Sequence, residues 1–271
     1  MREILTANAK EGDLVTFMGG VPCQSFSSAG KRKALDDPRG DCLIHYLELA
    51  VQVADYIVLE NVRGILSAGV MDKILDILKE YSVTYGLYDA KFFGAPQSRD
   101  RMILMAFKGK TPIPILKPTH GQPNSPPCVT LREAIGDLEG TGSHPEYSHE
   151  KKEAYEKLAP GQCWRHLSEE DQKKYVGAGL LANKGRGGQT GVLRRLAFDQ
   201  PCPTLVCSPS QQTTSFCHPT KTRPRSVEEY KRIEGFDDSG KHECTVQADW
   251  KRSSHCDEQG NSKSLARAHG R

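Results

Sequence analysis

The stretch LVTFMGGVPCQSFSSAG (residues 14–30) decides how the first part of the chain is expected to fold. Its first five residues, LVTFM, are apolar and β-prone, which predicts a buried strand that the Gly-Gly pair ends. The loop that follows carries Cys23 directly after Pro22. Open α/β sheets bind their ligands at the carboxyl ends of strands. We therefore expect the Cys23 thiol to be presented to a ligand there.

The composition is that of a soluble globular chain with one large or two small domains. The 271 residues are 37% hydrophobic and 26% charged, and the net charge of +3 permits a polyanionic partner without requiring one. The absence of a long apolar run or an apolar N-terminal core predicts a cytoplasmic protein that contacts no membrane. Nine cysteines without a CxxC pair favour a reduced chain. Cys202, Cys207 and Cys217 near His218 are poorly spaced for zinc, so no metal is expected.

The first hundred residues alternate strand and helix patterns, which predicts an α/β fold. Apolar residues at helical spacing predict helices within residues 36–55 and 70–81. YIVLEN (residues 56–61) predicts a second buried strand. Two further strands, within residues 83–94 and 101–107, are joined by a loop so short that it allows only an antiparallel pair.

The character of the sequence changes near Lys110. The proline-rich segment that follows is predicted to be extended. Capping boxes predict helices that begin after Thr130 and after Ser226. From the first of these helices to about residue 190, the chain is polar, which predicts isolated short helices with substantial loop. Residues 237–271 are polar and weakly patterned, and we expect much of this tail to be poorly ordered.

Several reactive side chains adjoin the ends of the predicted strands. They are Cys23, Glu60 and the triplet Gln97-x-Arg99-x-Arg101. Arginines favour the thiolate form of a cysteine, and a carboxyl group at the apolar end of a strand retains a proton more readily. Together these groups suit addition to an electron-poor ring. Each has an ordinary interpretation when taken singly, as a packing thiol, a solvated carboxylate or a surface charge.

Taken together, the motifs resemble those of the DNA cytosine-5 methyltransferases. GGVPCQSFS resembles the nucleophile motif, DPRGD the motif just downstream, LENV the acidic segment and APQSRDR the arginine motif. RRLAFDQPCPT and HPTKTRPRSVEEYKRIEGF resemble the segment after the target-recognition region. The resemblance covers about residues 11–238. It implies a partial Rossmann-like, class I S-adenosylmethionine-dependent methyltransferase sheet with an inserted target-recognition region, in a bacterial modification enzyme of the restriction-modification type.

The resemblance also implies a mechanism. Cys23 attacks C6 of a cytosine flipped out of double-stranded DNA, and Glu60 holds or protonates N3. Arg101 polarises O2, while Arg99 braces the site as a further catalytic residue. C5 then receives the methyl group of S-adenosylmethionine.

The same resemblance assigns the remaining site residues. Asn61 and Gln97 are expected to orient their neighbours. The DNA side comprises Gln24, Ser27, Gln97, Lys184, Arg186, Arg194 and Thr204. The cofactor side comprises Gly20, Pro22, Cys42, Asn261 and Ser262. The loop NKGRGGQTG (residues 183–191), which carries Lys184 and Arg186, has the alternative interpretation of a flexible solvated loop.

The expected organisation is a catalytic part in residues 1–109, the target-recognition region in residues 110–191 and a return segment in residues 192–271. The sequence lacks the Phe-x-Gly-x-Gly cofactor loop with which the family begins, so the chain is expected to be truncated and its cofactor-side strands to be missing. Three alternatives therefore stay open: an incompetent fragment that binds DNA, half of a split enzyme whose partner chain supplies the cofactor strands, or an enzyme that acts on RNA.

Overall fold

The computed structural model of the chain describes residues 12–21, 38–109, 111, 113–138, 142–182, 191–205 and 216–236. The chain divides into two compact units. Among the described residues, the first unit takes those within 12–83 and 104–111, and the second takes those within 84–103 and 113–236. The predicted tail of residues 237–271 lies outside the described residues.

The elements are numbered in chain order. The strands are β1 (Thr16–Gly20), β2 (Tyr56–Val62), β3 (Ser82–Asp89), β4 (Gln97–Ser98), β5 (Asp100–Phe107), β6 (Arg194–Arg195), β7 (Cys202–Pro203) and β8 (Phe216–Cys217). The helices are α1 (Pro38–Val53), α2 (Met71–Ile77), α3 (Leu131–Ile135), α4 (His149–Glu156), α5 (Glu169–Tyr175), α6 (Ala178–Ala182) and α7 (Val227–Ile233). Within the described ranges, no helix combines the length and the apolar character that crossing a membrane requires.

The largest sheet of the described residues has the strand order β1-β2-β5-β3, and its strands β1 and β2 belong to the first unit. Strands β1 and β2 are parallel and α1 lies between them in the chain, which confirms the predicted α/β pattern. The predicted end of β1 is wrong, because the strand includes Gly19 and Gly20. A Cβ atom on Gly19 would lie 2.6 Å from the ring of Tyr46. The Tyr46 hydroxyl donates a hydrogen bond of 3.1 Å to the carbonyl of Val58 in β2. The absence of a side chain at Gly19 in β1 leaves space for this ring, which therefore supports both strands.

The core of this unit lies where the hydrophobic pattern predicted it in α1, β2 and α2. The prediction that β1 is buried is wrong, because the strand is partly exposed and Met18 is 60% exposed. The fully buried side chains of the core include Leu43, Leu47, Ile57, Leu59, Ile65, Ile74 and Leu78. They follow helical spacing in α1 and alternate along β2. Helix α2 is shorter than predicted and ends at Ile77. Beyond it, the hydroxyl of Tyr81 donates a buried 2.7 Å hydrogen bond to the carbonyl of Ala54. This bond satisfies two polar groups inside the core.

Strands β3 and β5 are neighbours in the sheet. Ala90 follows β3 directly, and its N–H donates 3.1 Å to the carbonyl of Arg99, which directly precedes β5. The end of one strand therefore meets the start of the next, which is the antiparallel pair that the short connection predicted. The connection contains a 3₁₀ turn at Ala90–Phe93 and strand β4, where the sequence predicted a longer strand and then a loop.

In the second unit, helices α3 and α7 both begin at the predicted capping boxes. Thr130 pairs with Glu133 at the first, and Ser226 pairs with Glu229 at the second. The two helices pack against each other. Their shared buried cluster comprises Leu131, Ala134, Ile135, Leu196, Phe198, Cys202, Leu205, Phe216 and Ile233. The cluster therefore includes side chains from the segment around β7, which the sequence described only as strand-like.

Residues 142–182, called here the helical module, have more organisation than the sequence indicated. The helices α4, α5 and α6 are short, as predicted, but they surround a core of their own. Its buried members are Tyr147, Ala154, Tyr155, Leu158, Cys163, Trp164, Leu167, Val176, Leu193 and Cys217. Of these side chains only Ala154 and Tyr155 lie in one of the three helices, α4, while α5 and α6 contribute the partly buried Tyr175, Leu180 and Leu181. The sequence therefore shows no sustained period.

Replacing Trp164 by alanine is expected to destabilise the helical module by about 3–5 kcal/mol, because the side chain is fully buried and leaves a large cavity. Hydrogen exchange of the module's amides would measure the loss. Lys173→Ala in α5 is the matched control, since Lys173 is exposed. Equal protection in the two variants would contradict the assignment of Trp164 to a core.

Candidate active site

Strands β1 and β2 end side by side at one edge of the sheet. Their parallel register pairs Gly20 with Glu60, and paired strands lie about 4.8 Å apart. The predicted nucleophile loop leaves β1 immediately after Gly20. The start of this loop and Glu60 therefore lie at the same edge of the sheet. The loop residues Pro22, Cys23, Gln24 and Ser27 lie outside the described residues.

Glu60 occupies a half-buried position at the end of β2. The strand alternates buried and half-buried residues, with Ile57, Leu59 and Asn61 on the buried side. Glu60 therefore belongs to the opposite face, and its carboxyl oxygen Oε1 is itself buried. Glu60 therefore places a carboxyl group, with one oxygen shielded from solvent, at the edge of the sheet where the nucleophile loop begins.

Asn61 links the end of β2 to the start of the loop. Its side chain is only 1% exposed. The amide nitrogen Nδ2 donates 3.4 Å to the carbonyl of Val21, and Oδ1 accepts 2.9 Å from the N–H of Val62. These bonds fix the backbone on both sides of the strand end, which fits the orienting role that the sequence predicted.

The arginine motif lies at β4 and the start of β5. Gln97 is 1% exposed, so of its two predicted roles the buried position fits orientation of neighbours rather than contact with DNA. Its Oε1 accepts hydrogen bonds from Arg99 Nη1 at 3.2 Å and from the N–H of Leu205 at 3.3 Å. Arg101 is half-buried, and its Nη1 donates 2.7 Å to the carbonyl of Asp100.

Asp89 is a residue of this network that the sequence analysis missed. Its carboxylate accepts 2.8 Å hydrogen bonds from Ser98 Oγ and from the N–H of Arg99, and Lys91 lies 3.1 Å away. Burial alone would raise the pKa of Asp89, but the bonds from Ser98, Arg99 and Lys91 outweigh it and lower the pKa. A depressed carboxyl pKa stabilises the fold above the unfolded-state pKa, and that contribution is lost as the pH falls.

The remaining predicted residues are placed as follows. Thr204 is half-buried, and its hydroxyl donates 2.8 Å to the carbonyl of Ser98. Arg194 is half-buried in β6, and Cys42 is exposed on α1. The predicted residues outside the described part of the chain are Lys184, Arg186, Asn261 and Ser262.

A second network that the sequence did not predict supports the turn after β8. Arg195 is 5% exposed and its guanidinium donates to the carbonyls of Tyr155, His218, Pro219 and Lys221 and to the hydroxyl of Thr222. Buried guanidinium groups are rare without such partners. Arg195 therefore binds the turn to the end of α4.

The two buried thiols of Cys202 and Cys217 are protonated at neutral pH. Burial raises the pKa of both Cys202 and Cys217 to about 11. Zinc binds the thiolate form of cysteine, so both thiols would have to lose their protons inside a core to act as ligands. Their positions are those of packing residues.

Comparison with known proteins gives a family and a fold. The family described as C-5 cytosine-specific DNA methylase matches residues 2–264. The chain is 35% identical over 248 residues to the type II methyltransferase M.Eco47II of Escherichia coli, and 32% identical over 231 residues to M.Sau96I of Staphylococcus aureus. These matches cover 86% and 81% of this chain, but only 58% and 52% of the relatives. The chain thus spans little more than half the length of these relatives.

A solved structure supports the fold assignment. An E. coli protein encoded within a prophage and described as a DNA modification methyltransferase superposes with a TM-score of 0.54. The sequences are 21% identical, and the superposition covers 89% of this chain and 74% of the other. At this identity the likeness concerns the fold, and it confirms the prediction of a methyltransferase-like α/β sheet.

Proposed function

The chain belongs to the C-5 cytosine-specific DNA methylase family, and from that premise we propose that it transfers a methyl group from S-adenosylmethionine to C5 of a cytosine flipped out of double-stranded DNA. The observation that carries the proposal is the pairing of Gly20 with Glu60, since it brings the start of the Cys23 loop and a carboxyl group to one edge. We further infer that the setting is the bacterial cytoplasm, in a restriction-modification system.

In the proposed reaction, the Cys23 thiolate forms a bond to C6, and the electron pair of the C5=C6 bond is displaced into the ring. Glu60 donates a proton to N3, so charge does not accumulate on the ring. Arg101 donates hydrogen bonds to O2. C5 takes up the methyl group, a base removes the C5 proton, and the C6–S bond breaks as the thiolate leaves. N3 returns its proton to Glu60, which restores the acid.

When bound, S-adenosylmethionine would supply an activated methyl group. Two described residues on the predicted cofactor side have positions that fit it. Gly20 ends β1 at the carboxyl edge of the parallel pair, where sheets of this class bind ligands. Cys42 is exposed on α1. Pro22, Asn261 and Ser262 complete the proposed set.

We propose residues 110–191 as the part that recognises the DNA sequence, with Lys184 and Arg186 as its phosphate or guanine contacts. The helical module contains slightly more acidic than basic side chains. Several of its lysines are paired internally, among them Lys152 with Glu146 at 2.8 Å and Lys174 with Glu153 at 3.1 Å. The charge of the helical module therefore supports a role as a scaffold for the basic loop of residues 183–191, rather than as a DNA-binding face.

The test is covalent trapping on DNA in which 5-fluorocytosine replaces every cytosine, so that any short recognition sequence is included. Fluorine at C5 blocks the final elimination. With labelled S-adenosylmethionine and no other protein, we expect a labelled chain–DNA adduct that survives denaturing electrophoresis. A folded sample that binds S-adenosylmethionine and this DNA, yet forms no adduct, would contradict the proposal.

A further inference from the structure

Two side chains of the arginine motif hold both backbone groups of one distant residue. Gln97 Oε1 accepts from the N–H of Leu205 at 3.3 Å, and Arg99 Nη1 donates to the carbonyl of Leu205 at 3.2 Å. The same Nη1 also donates to Gln97 Oε1 at 3.2 Å. This closed set of three hydrogen bonds is called here the Leu205 clamp.

The clamp lies just beyond a parallel strand pair of two residues. In the parallel pair β4–β7, Gln97 is opposite Cys202 and Ser98 is opposite Pro203. The N–H of Cys202 donates 2.8 Å to the carbonyl of Pro96, and the hydroxyl of Thr204 donates 2.8 Å to the carbonyl of Ser98. Beyond this point side chains replace the ladder.

The clamp is buried and supported from both sides. Gln97 is 1% exposed and Leu205 is 4% exposed. Leu205 packs into the cluster of α3 and α7, and the N–H of Arg99 is held by Asp89 at 2.8 Å. Breaking one buried hydrogen bond here leaves a polar partner unsatisfied, which costs more than the bond contributes.

We propose that Gln97 and Arg99 are positioning residues, which fix the segment 202–205 against the arginine motif and thereby hold Arg101 in its working orientation. Arg101 follows Arg99 by two residues at the start of β5. A shift of the backbone at Arg99 would therefore also move Arg101. The part of this inference that concerns turnover rests on the proposed function, in which Arg101 contacts the cytosine.

The test compares two variants of Gln97 in the full chain. Gln97→Leu removes the acceptor, whereas Gln97→Glu keeps an acceptor of the same shape. In Gln97→Leu we expect faster hydrogen exchange at the Leu205 amide, a shifted Arg101 Nε–H resonance and a kcat lowered by about 100-fold. Gln97→Glu should restore all three towards their original values, and the melting temperature would show that both variants are folded.

The outcomes separate the clamp from the reaction. If the original chain transfers no methyl group but the Arg101 resonance responds to Gln97→Leu, the clamp stands and the proposed function fails. If Leu205 exchanges faster while the Arg101 resonance and kcat stay unchanged, the clamp is a packing feature only and the inference is wrong. Unchanged exchange at Leu205 would show that the clamp does not form.

Discussion

Replacing Cys23 by serine is expected to lower methyl transfer by at least about a thousandfold, because a hydroxyl without a strong base nearby is a far weaker nucleophile than a thiolate. DNA binding should stay within about twofold, since phosphate contacts supply most of the affinity for DNA. Methyl transfer from labelled S-adenosylmethionine and a DNA-binding titration at fixed salt would measure the two quantities.

The matched control for Cys23 is Cys128→Ser. Cys128 is a free, half-buried thiol that lies in the proposed recognition region but is assigned no contact with DNA or with the reacting atoms. This variant should keep its activity and should still form the 5-fluorocytosine adduct, whereas Cys23→Ser should form none. Normal turnover of Cys23→Ser would remove the nucleophile from the proposed mechanism.

Replacing Glu60 by glutamine is expected to lower kcat by about 10²–10⁴-fold, the range that a general acid contributes. The amide keeps the size of the side chain but cannot donate a proton to N3 as the acid does. KM for DNA should change little, because the interaction strengthens only as charge develops in the ring. Steady-state kinetics on a single methylatable duplex would separate the two constants.

Glu48→Gln is the control for Glu60, since Glu48 is an exposed carboxylate on α1 in the same unit. It should have the kinetics of the original chain. If Glu60→Gln turned over at the original rate, the carboxyl group beside Gly20 would have no part in the reaction. If it lost DNA binding instead, Glu60 would be a structural residue of the sheet edge.

The sequence predicted best where a local signal is strong. The apolar periods of α1 and β2 and the capping boxes at Thr130 and Ser226 each depend on residues close together in the chain, and the structure contains all of these elements. The motifs that adjoin the strand ends were sufficient to suggest the family, which the match over residues 2–264 shows.

Prediction was weaker wherever the deciding partner was remote. Gly19 and Gly20 were expected to end β1, but the ring of Tyr46 fills the space that a side chain would need, and the strand continues. The helical module has no sustained apolar period, so its core around Trp164 was not predicted. Asp89 belongs to no recognised motif, although it holds the backbone of the arginine motif.

The sequence by itself determined the α/β class, the family and the identity of the reactive groups, because periodicity and motif order are properties of neighbouring residues. Only the tertiary structure decided which groups are held together. The pairing of Gly20 with Glu60 depends on the register of two strands, and the Leu205 clamp joins residues more than 100 positions apart. Such contacts arise when buried polar groups must find partners in a packed interior, and no local pattern specifies which partner each group finds.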